Sequence, residues 1–324
     1  MSKTRAFLFA VVAALACSLA PTPVSAQTTF PTRPVRLVVP LAPGGGGDIV
    51  ARLVAAKMQD LLGQQMIVEN RAGGATVPGT DFVAKSAPDG YTLLLATSSH
   101  VVNGSLHKLP FDPVKDFSAV TLLATSPLIL VVNPKVPATT LAELIALAKA
   151  KPDSLNYASS GTASLTHISG ELLNRMAGIA IVHVPYKGSG PAETDLLGGQ
   201  VQMFFASTAS AAQYISAGRL RAIAITTARR SPAFPDVPAV AETLPGFETG
   251  SFYSVLAPAG TPQSTIDRLH AAFVKALAMP DVKERLQSIG AEIVGAPAAE
   301  NMAYIQAQIR QWDKVIKEAG IKAD

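Results

Sequence analysis

The sequence predicts an α/β protein of two lobes, and three observations lead there. Short apolar runs alternate with helical patterns from Val35 almost to the C terminus. A single Pro/Gly-rich stretch, residues 231–250, interrupts that alternation. The length of 324 residues suits about two domains, and 48% hydrophobic against 15% charged residues suffices for large cores rather than disorder.

The elements follow in order. Val35–Val39 reads as a buried strand, and Asp48–Leu62 as a helix with Ile49, Leu53, Ala56 and Met58 toward one face. Strands are expected at Met66–Val68, Thr92–Ala96 and Val120–Leu123. A second series runs through Leu128–Val132, Leu155–Ala158, Ile181–Val184, Val201–Phe205 and Leu220–Ile225. Between these fall helical patterns at Leu141–Ala150, Ser164–Met176, Pro191–Leu197 and Ala209–Ala217. Continuous apolar runs bounded by turns indicate parallel strands covered on both faces. Pro232, Pro235, Pro238, Pro245 and the glycines around them make 231–250 a connector. Tyr253–Leu256 resumes as a strand, and three helical stretches end the chain. The last of these carries Ile305, Ile309, Trp312 and Ile316 on one face, with Trp312 as a core anchor. No internal repeat at a fixed short period is visible.

The first 26 residues read as a secretory signal peptide cleaved after Ala26. Lys3 and Arg5 precede an apolar run, Ala6–Ala20, too short to span a bilayer, and Val24-Ser25-Ala26 supplies small residues before Gln27. Cys17, the one cysteine, lies inside that run, so the exported chain has no thiolate metal site, disulfide or cysteine nucleophile. A lipid anchor at Cys17 is disfavoured because Ala14-Leu15-Ala16 places the large aliphatic residue one position late. The remainder carries 25 basic and 23 acidic residues, net +2, with no basic run longer than Arg229-Arg230. Nucleic acid is therefore excluded as a partner.

Ligands in open α/β sheets bind beyond the carboxyl ends of the strands. The loop after the first strand, Leu41-Ala42-Pro43-Gly44-Gly45-Gly46-Gly47-Asp48, leaves backbone N–H groups unshielded before a helix N-terminus, a combination that receives an anion. Asp48 suits the N-cap and would occupy some of those donors, which leaves the glycines as the cradle. A dinucleotide fingerprint fails because Ile49 stands where its third glycine belongs, and a P-loop fails because no Lys-Ser or Lys-Thr follows. No cofactor is expected. A second loop, Ser159 to His167, places Ser160, Gly161, Thr162 and Ser164 before another helix, with more hydroxyls than N-capping needs. Thr97-Ser98-Ser99-His100 is a third polar loop, and Tyr186-Lys187-Gly188 with Asp195 a fourth.

Enzyme signatures are missing. His100, His107, His167, His183 and His270 show no paired metal spacing, and no Gly-x-Ser-x-Gly elbow occurs. Ser105-x-x-Lys108 lacks its companion motifs.

Across these loops the chain resembles the solute-binding proteins of tripartite tricarboxylate transporters, the Bug proteins. The resemblance covers Phe30 to Ile321. Its carriers include Pro34-Val35-Arg36-Leu37-Val38-Val39-Pro40 with Pro43-Gly44-Gly45, and Val68-Glu69-Asn70-Arg71-Ala72-Gly73-Gly74. Further carriers are Ala87-Pro88-Asp89-Gly90-Tyr91, His183-Val184-Pro185-Tyr186-Lys187-Gly188 and Ala257-Pro258-Ala259-Gly260-Thr261-Pro262. It implies a Venus-flytrap, type II-like periplasmic binding protein with two doubly wound lobes joined by crossing strands. The expected lobes are 27–128 plus 252–324, and 129–251. It also implies a monomer in the periplasm that captures a small carboxylate and delivers it to membrane permease subunits; a sensor subunit serving a signalling receptor is the alternative. In the family's pattern Leu41 stands where an aromatic residue is common, Phe252 where Trp is common, and Ala206, before Ser207, where Asp is frequent. Together with Thr97, Ser98, His100, His167 and Asp195 these positions complete the expected site. Losing that Asp argues against amino-acid ligands and leaves room for a bulkier, even aromatic, carboxylate.

Overall fold

The computed structural model describes residues 30–319, apart from 153 and 163. The proposed signal peptide and its cleavage point lie outside the described residues. The described residues from Arg33 onward pack as one unit.

Ten strands are described: β1 Val35–Val39, β2 Met66–Asn70, β3 Thr92–Ala96, β4 Phe117–Val132, β5 Asn156–Ser159, β6 Val182–Pro185, β7 Met203–Ser207, β8 Arg221–Ile225, β9 Gly250–Pro258 and β10 Glu292–Ala296. The helices are α1 Gly46–Ala55, α2 Met58–Leu62, α3 Val77–Ala84, α4 Ser98–Leu106, α5 Leu141–Ala150, α6 Leu165–Ala177, α7 Ser189–Gly198, α8 Thr208–Ser216, α9 Gln263–Ala278, α10 Pro280–Ser288 and α11 Ala298–Ala319. The sequence patterns place β1, β3 and α5 at these limits, because each is a continuous apolar or amphipathic run closed by turn residues. Thr140 starts α5 with a capping box: its side chain accepts from the Glu143 N–H, and Glu143 returns a bond to the Thr140 N–H.

β4 organises the molecule. The sequence suggests two strands, broken at Thr125-Ser126-Pro127, but the chain runs on as one strand of 16 residues, about 50 Å at the usual rise. Its first half pairs with β9 and β10, and its second half with β7 and β8. Pro127 is tolerated at mid-strand because the ladder changes hands there: it pairs with Gly250 at the end of β9, and Leu128 with Ser207 of β7. One half-sheet is thus β2-β1-β3-β9-β4 with β10 on β4, and the other is β4-β7-β5-β6 with β8 on β4. The sheets are mixed rather than wholly parallel. β1 is parallel to β2 and β3, and β5 to β6 and β7, whereas β9 and β10 run antiparallel to their partners. The reason is that β9 returns from the Pro-rich connector and enters between β3 and β4.

Three other departures have local causes. The single helix expected over Asp48–Leu62 is two, because the N–H of Lys57 bonds the Val54 carbonyl and tightens the chain between them. Residues 97–100, expected as a loop, form the start of α4. β10 gives no strand signal in the sequence, being short and largely solvated. The core joins sheet residues such as Val38, Leu94 and Leu130 to α11, where Ile305, Trp312 and Ile316 are buried in the expected stripe. The Trp312 indole N–H is satisfied by Gln308 Oε1 at 3.0 Å.

Candidate functional site

Five helix N-termini meet at one small cavity of about 50 Å³ between the two half-sheets. From the first half-sheet come the start of α1, with Gly45 at its N-cap, and the start of α4, with Thr97 at its N-cap. From the second come α6 (N-cap Ser164), α7 (N-cap Gly188) and α8 (N-cap Ser207). Each presents N–H groups and a positive partial charge of about half an electron. Nine hydroxyl side chains join them. Thr97, Ser98 and Ser99 face Ser160, Thr166, Ser189 and Ser207, while β9 contributes Ser251 and Tyr253. Leu41, Leu128 and Leu165 supply an apolar part of the wall. Among the described residues no Lys or Arg lines the cavity.

Among the described residues Asp48 is the one charged side chain there, and it is occupied. Its carboxylate accepts from the Gly44 N–H (3.0 Å), Arg52 Nε (3.0 Å) and Asn70 Nδ2 (2.9 Å). Burial raises its pKa, but these bonds outweigh that and hold it below the ordinary aspartate range. Asp48 therefore does not act as the N-cap; α1 starts two residues earlier, at Gly46. Asn70 Nδ2 also bonds the Leu41 carbonyl, so Asp48 and Asn70 together shape the glycine loop.

The halves approach closely where glycines permit. A Cβ on Gly188 would lie 2.9 Å from the backbone N of Ala42, and one on Gly190 would strike the Pro43 carbonyl oxygen. A Cβ on Gly46 would lie 2.6 Å from the Tyr253 hydroxyl and 2.7 Å from Ser207 Cβ. Ala42 and Pro43 thus meet the other half as packing surface. Gly44, at φ +88°, makes the turn and gives its N–H to Asp48.

The structure brings Leu41, Gly45, Gly46, Thr97, Ser98, Ser160 and Ser207 to the cavity wall. Other expected site residues stand back from it. Ser164 caps α6, accepting from the His167 N–H, and bonds Thr166 Oγ1, which in turn receives the Ser160 N–H at 2.8 Å. Gly161, at φ +131°, donates its N–H to Ser159 Oγ, and Thr162 is half-buried on that loop. The His167 ring stacks on His183 at 4.0 Å, and His183 reaches Ser159 Oγ at 2.6 Å. Asp195 accepts from the Tyr186 hydroxyl at 2.7 Å; burial first and that carboxylate second push Tyr186 up to about 12. Ala206 packs with Phe204 in the apolar core of the second half.

His100 and Phe252 face the core of the first half. The His100 ring stacks on Phe111 and meets Phe117 edge-on, and its Nε2 lies 2.9 Å from the Pro113 carbonyl. Burial drives its pKa down to about 4. Phe252 meets Tyr304 edge-on. Alternation along β9 sends Phe252 one way and Ser251 and Tyr253 the other.

Sequence reasoning did not single out Leu128, Leu165, Thr166, Ser189, Ser251 and Tyr253 as site residues, and named Gly47 and Ser99 only as members of the first and third loops. Thr166 and Ser189 lie within or beside the loops it singled out. A larger open groove, about 1530 Å³, lies beside the antiparallel pairing of β4 and β9, lined at Thr125, Pro127 and Gly250. Its walls mix the cations Arg229, Arg230 and Lys283 with the acids Glu248 and Glu292. Among the described residues no cluster of metal-ligating side chains occurs, and no helix is long and apolar enough to cross a membrane.

Residues 50–321 match the family described as tripartite tricarboxylate transporter family receptor. The chain is 41% identical over 304 residues to BugT of Bordetella pertussis, covering 93% of each protein. Among solved structures it is similar to the periplasmic binding protein BugD, at 34% identity and TM-score 0.88, covering 91% of this chain and 100% of that one. It is also similar to Rpa4515 of R. palustris with adipate (36% identity, TM-score 0.87, covering 90% and 99%). MatC of Rhodopseudomonas palustris with bound malate gives 36% identity, TM-score 0.85, and coverage of 89% and 100%. The fold is that of the periplasmic binding proteins, two α/β lobes joined through crossing strands, and the similar proteins are solute-binding proteins rather than enzymes.

Proposed function

Because the chain belongs to the tripartite tricarboxylate transporter receptor family, we propose that it is an exported, monomeric solute-binding protein that captures a small mono- or dicarboxylate between its lobes. The observation that carries this reading is the convergence of five helix N-termini and nine hydroxyls on a cavity without a cationic side chain. Such a site holds an anion by fixed dipoles and hydrogen bonds already in place. Leu41, Leu128 and Leu165 suit the carbon skeleton of the ligand. The relatives solved with adipate and malate support the carboxylate class.

In this reading residues 27–128 with 252–324 form one lobe and 129–251 the other, with the change of β4 partners at Pro127–Leu128 as the hinge. Closure brings Gly45–Gly47, Thr97 and Ser98 against Ser160 and Ser207 around the ligand. A ligand that binds the closed form better shifts the population toward it, and the closed form then docks on the membrane permease.

A thermal-shift screen over adipate, malate, aromatic carboxylates, amino acids and sugars tests the proposal. A true ligand at 100 times its Kd stabilises the fold by about 2.7 kcal/mol. If sugars or cations shift the melt and no carboxylate does, the reading is wrong.

A further inference from the structure

Glu193 is a buried acid that the site described above does not use. It lies on α7 and is 4% exposed, on the helix that gives Ala192 and Leu196 to the apolar core of the second half. Its carboxylate meets Ser210 Oγ of α8. That same Ser210 hydroxyl lies 3.2 Å from the carbonyl oxygen of Ser207. A serine hydroxyl has one proton to donate, so it cannot serve both acceptors at once. If Glu193 is ionised, Ser210 donates to it and the contact to the Ser207 carbonyl goes unmade. If Glu193 is protonated, the acid donates to Ser210 Oγ and Ser210 donates onward to the Ser207 carbonyl. Both bonds then form, and no charge is buried.

The chain leads into the cavity. Ser207 caps α8, lines the cavity, and lies 3.2 Å from the Tyr253 hydroxyl. Glu193 is near enough for its charge to act on that phenol. We propose that Glu193 is a proton-linked positioning residue of the anion site: protonated, it orders Ser207 and leaves the α8 N-terminus positive; ionised, it opposes the bound anion. This rests on the carboxylate-binding reading above.

The strands beside α7 contribute Ala158, Phe204 and Ala206 to the apolar core that Ala192 and Leu196 join, α8 contributes Ala211, and the rings of Tyr186 and Tyr214 pack against that core; Ser210 of α8 meets Glu193. Asp195, on α7 itself, is bonded to Tyr186. Tyr253 is raised by burial and keeps its proton across the neutral and mildly alkaline range. Burial likewise lifts Glu193, to about 8, outweighing the Ser210 hydroxyl, whose hydrogen bond to the carboxylate acts in the opposite direction.

Calorimetric titration of the whole protein with malate and with adipate between pH 7 and 9.5 tests the coupling, since both probes stay fully ionised there. The wild type should lose roughly five- to tenfold in affinity over that range, as a like charge beside the anion requires. The E193Q variant, checked for folding by circular dichroism, should change by less than about twofold. Proton uptake on binding at pH 8.5, read from buffers of different ionisation enthalpy, should appear in the wild type and vanish in E193Q. A bound probe with equal pH slopes in both proteins overturns the coupling alone. If neither probe binds at any pH, malate and adipate are excluded as ligands and the coupling is decided by the protonation of Glu193 itself. Carbon-13 NMR of the ligand-free protein reads Glu193 independently: a midpoint near 8 is expected, and one below about 6 overturns the proposal.

Discussion

Ser207 Oγ and the Tyr253 hydroxyl stand 3.2 Å apart, one at the mouth of α8 and the other on crossing strand β9. Gly46 closes over both, since a Cβ there would sit 2.6 Å from the Tyr253 hydroxyl. Gly46 has helical backbone at the start of α1, so alanine is not strained by conformation. Gly46→Ala should therefore keep the α1 backbone but force Ser207 and Tyr253 away from the glycine, since the added Cβ would also lie 2.7 Å from Ser207 Cβ. The expected outcome is a lowered melting temperature without ligand and loss of most of the roughly 2.7 kcal/mol that a saturating ligand confers. A full ligand-induced shift in the variant would show that Gly46 does not meet the other lobe on binding.

Asp48 links the glycine loop to α1 and β2 through Gly44, Arg52 and Asn70. Asp48→Asn removes the charge from bonds that are each worth about 1.5–3 kcal/mol when charge-assisted, and urea unfolding at pH 7 should show a loss in that range. The pH sign follows from the lowered pKa. The contribution is complete above the ordinary aspartate range and disappears as pH falls below about 4. The wild-type advantage over Asp48→Asn should shrink in acid, and an advantage that persists at low pH would place the stabilisation elsewhere.

Much of this site is legible in the sequence, because loops that follow strands and open helices must lie at one end of a sheet. Gly45, Gly46, Thr97, Ser98 and Ser160 follow from that rule alone, whereas Ser207 comes from the family resemblance. What it does not give is rotation. Ser98 and Ser99 begin α4 facing the cavity, and about 100° further round the helix His100 already faces the core. On β9 the adjacent aromatics Phe252 and Tyr253 are indistinguishable by composition, and only the strand register sends Tyr253 to the cavity. The same register explains β4, whose polar Thr125-Ser126-Pro127 segment resembles a turn until β9 is seen to pair across it. The fold class was legible for a simpler reason: β1, β3 and α5 carry unbroken apolar or amphipathic patterns between clear turn signals.

Tyr253→Phe isolates one hydroxyl of the cavity without changing the ring that fills its place. Tyr253 is 2% exposed, so the phenylalanine ring keeps the packing and the fold should survive. The Ser207 hydroxyl loses a partner, and a bound carboxylate that uses the phenol loses a donor. A donor to a charged acceptor is worth about 1.5–3 kcal/mol, so calorimetry should show affinity for the screened ligand reduced by about tenfold or more. Undiminished affinity would leave Tyr253 a wall of the cavity and nothing more.

His100 and Glu193 should together shape the pH dependence of stability, because burial keeps both uncharged and moves their pKa values in opposite directions. Burial lowers His100 from 6.5 to about 4, so between those values the unfolded chain holds a proton that the folded one lacks. Burial raises Glu193 from 4.5 to about 8, so between those values the folded chain holds the extra proton. From about 4.5 to 6.5 the two offset each other and this pair contributes a plateau. Above 6.5 only the Glu193 difference remains, and stability falls as pH rises toward 8. Below 4.5 only the His100 difference remains, and stability falls as pH drops toward 4. Urea unfolding at half-unit intervals from pH 4 to 8.5 should reveal that dome in the wild type. Glu193→Gln should abolish the alkaline decline while leaving the acid one, and His100→Phe should do the reverse. An alkaline decline that survives in Glu193→Gln would assign it to another group and remove the thermodynamic basis for a neutral Glu193.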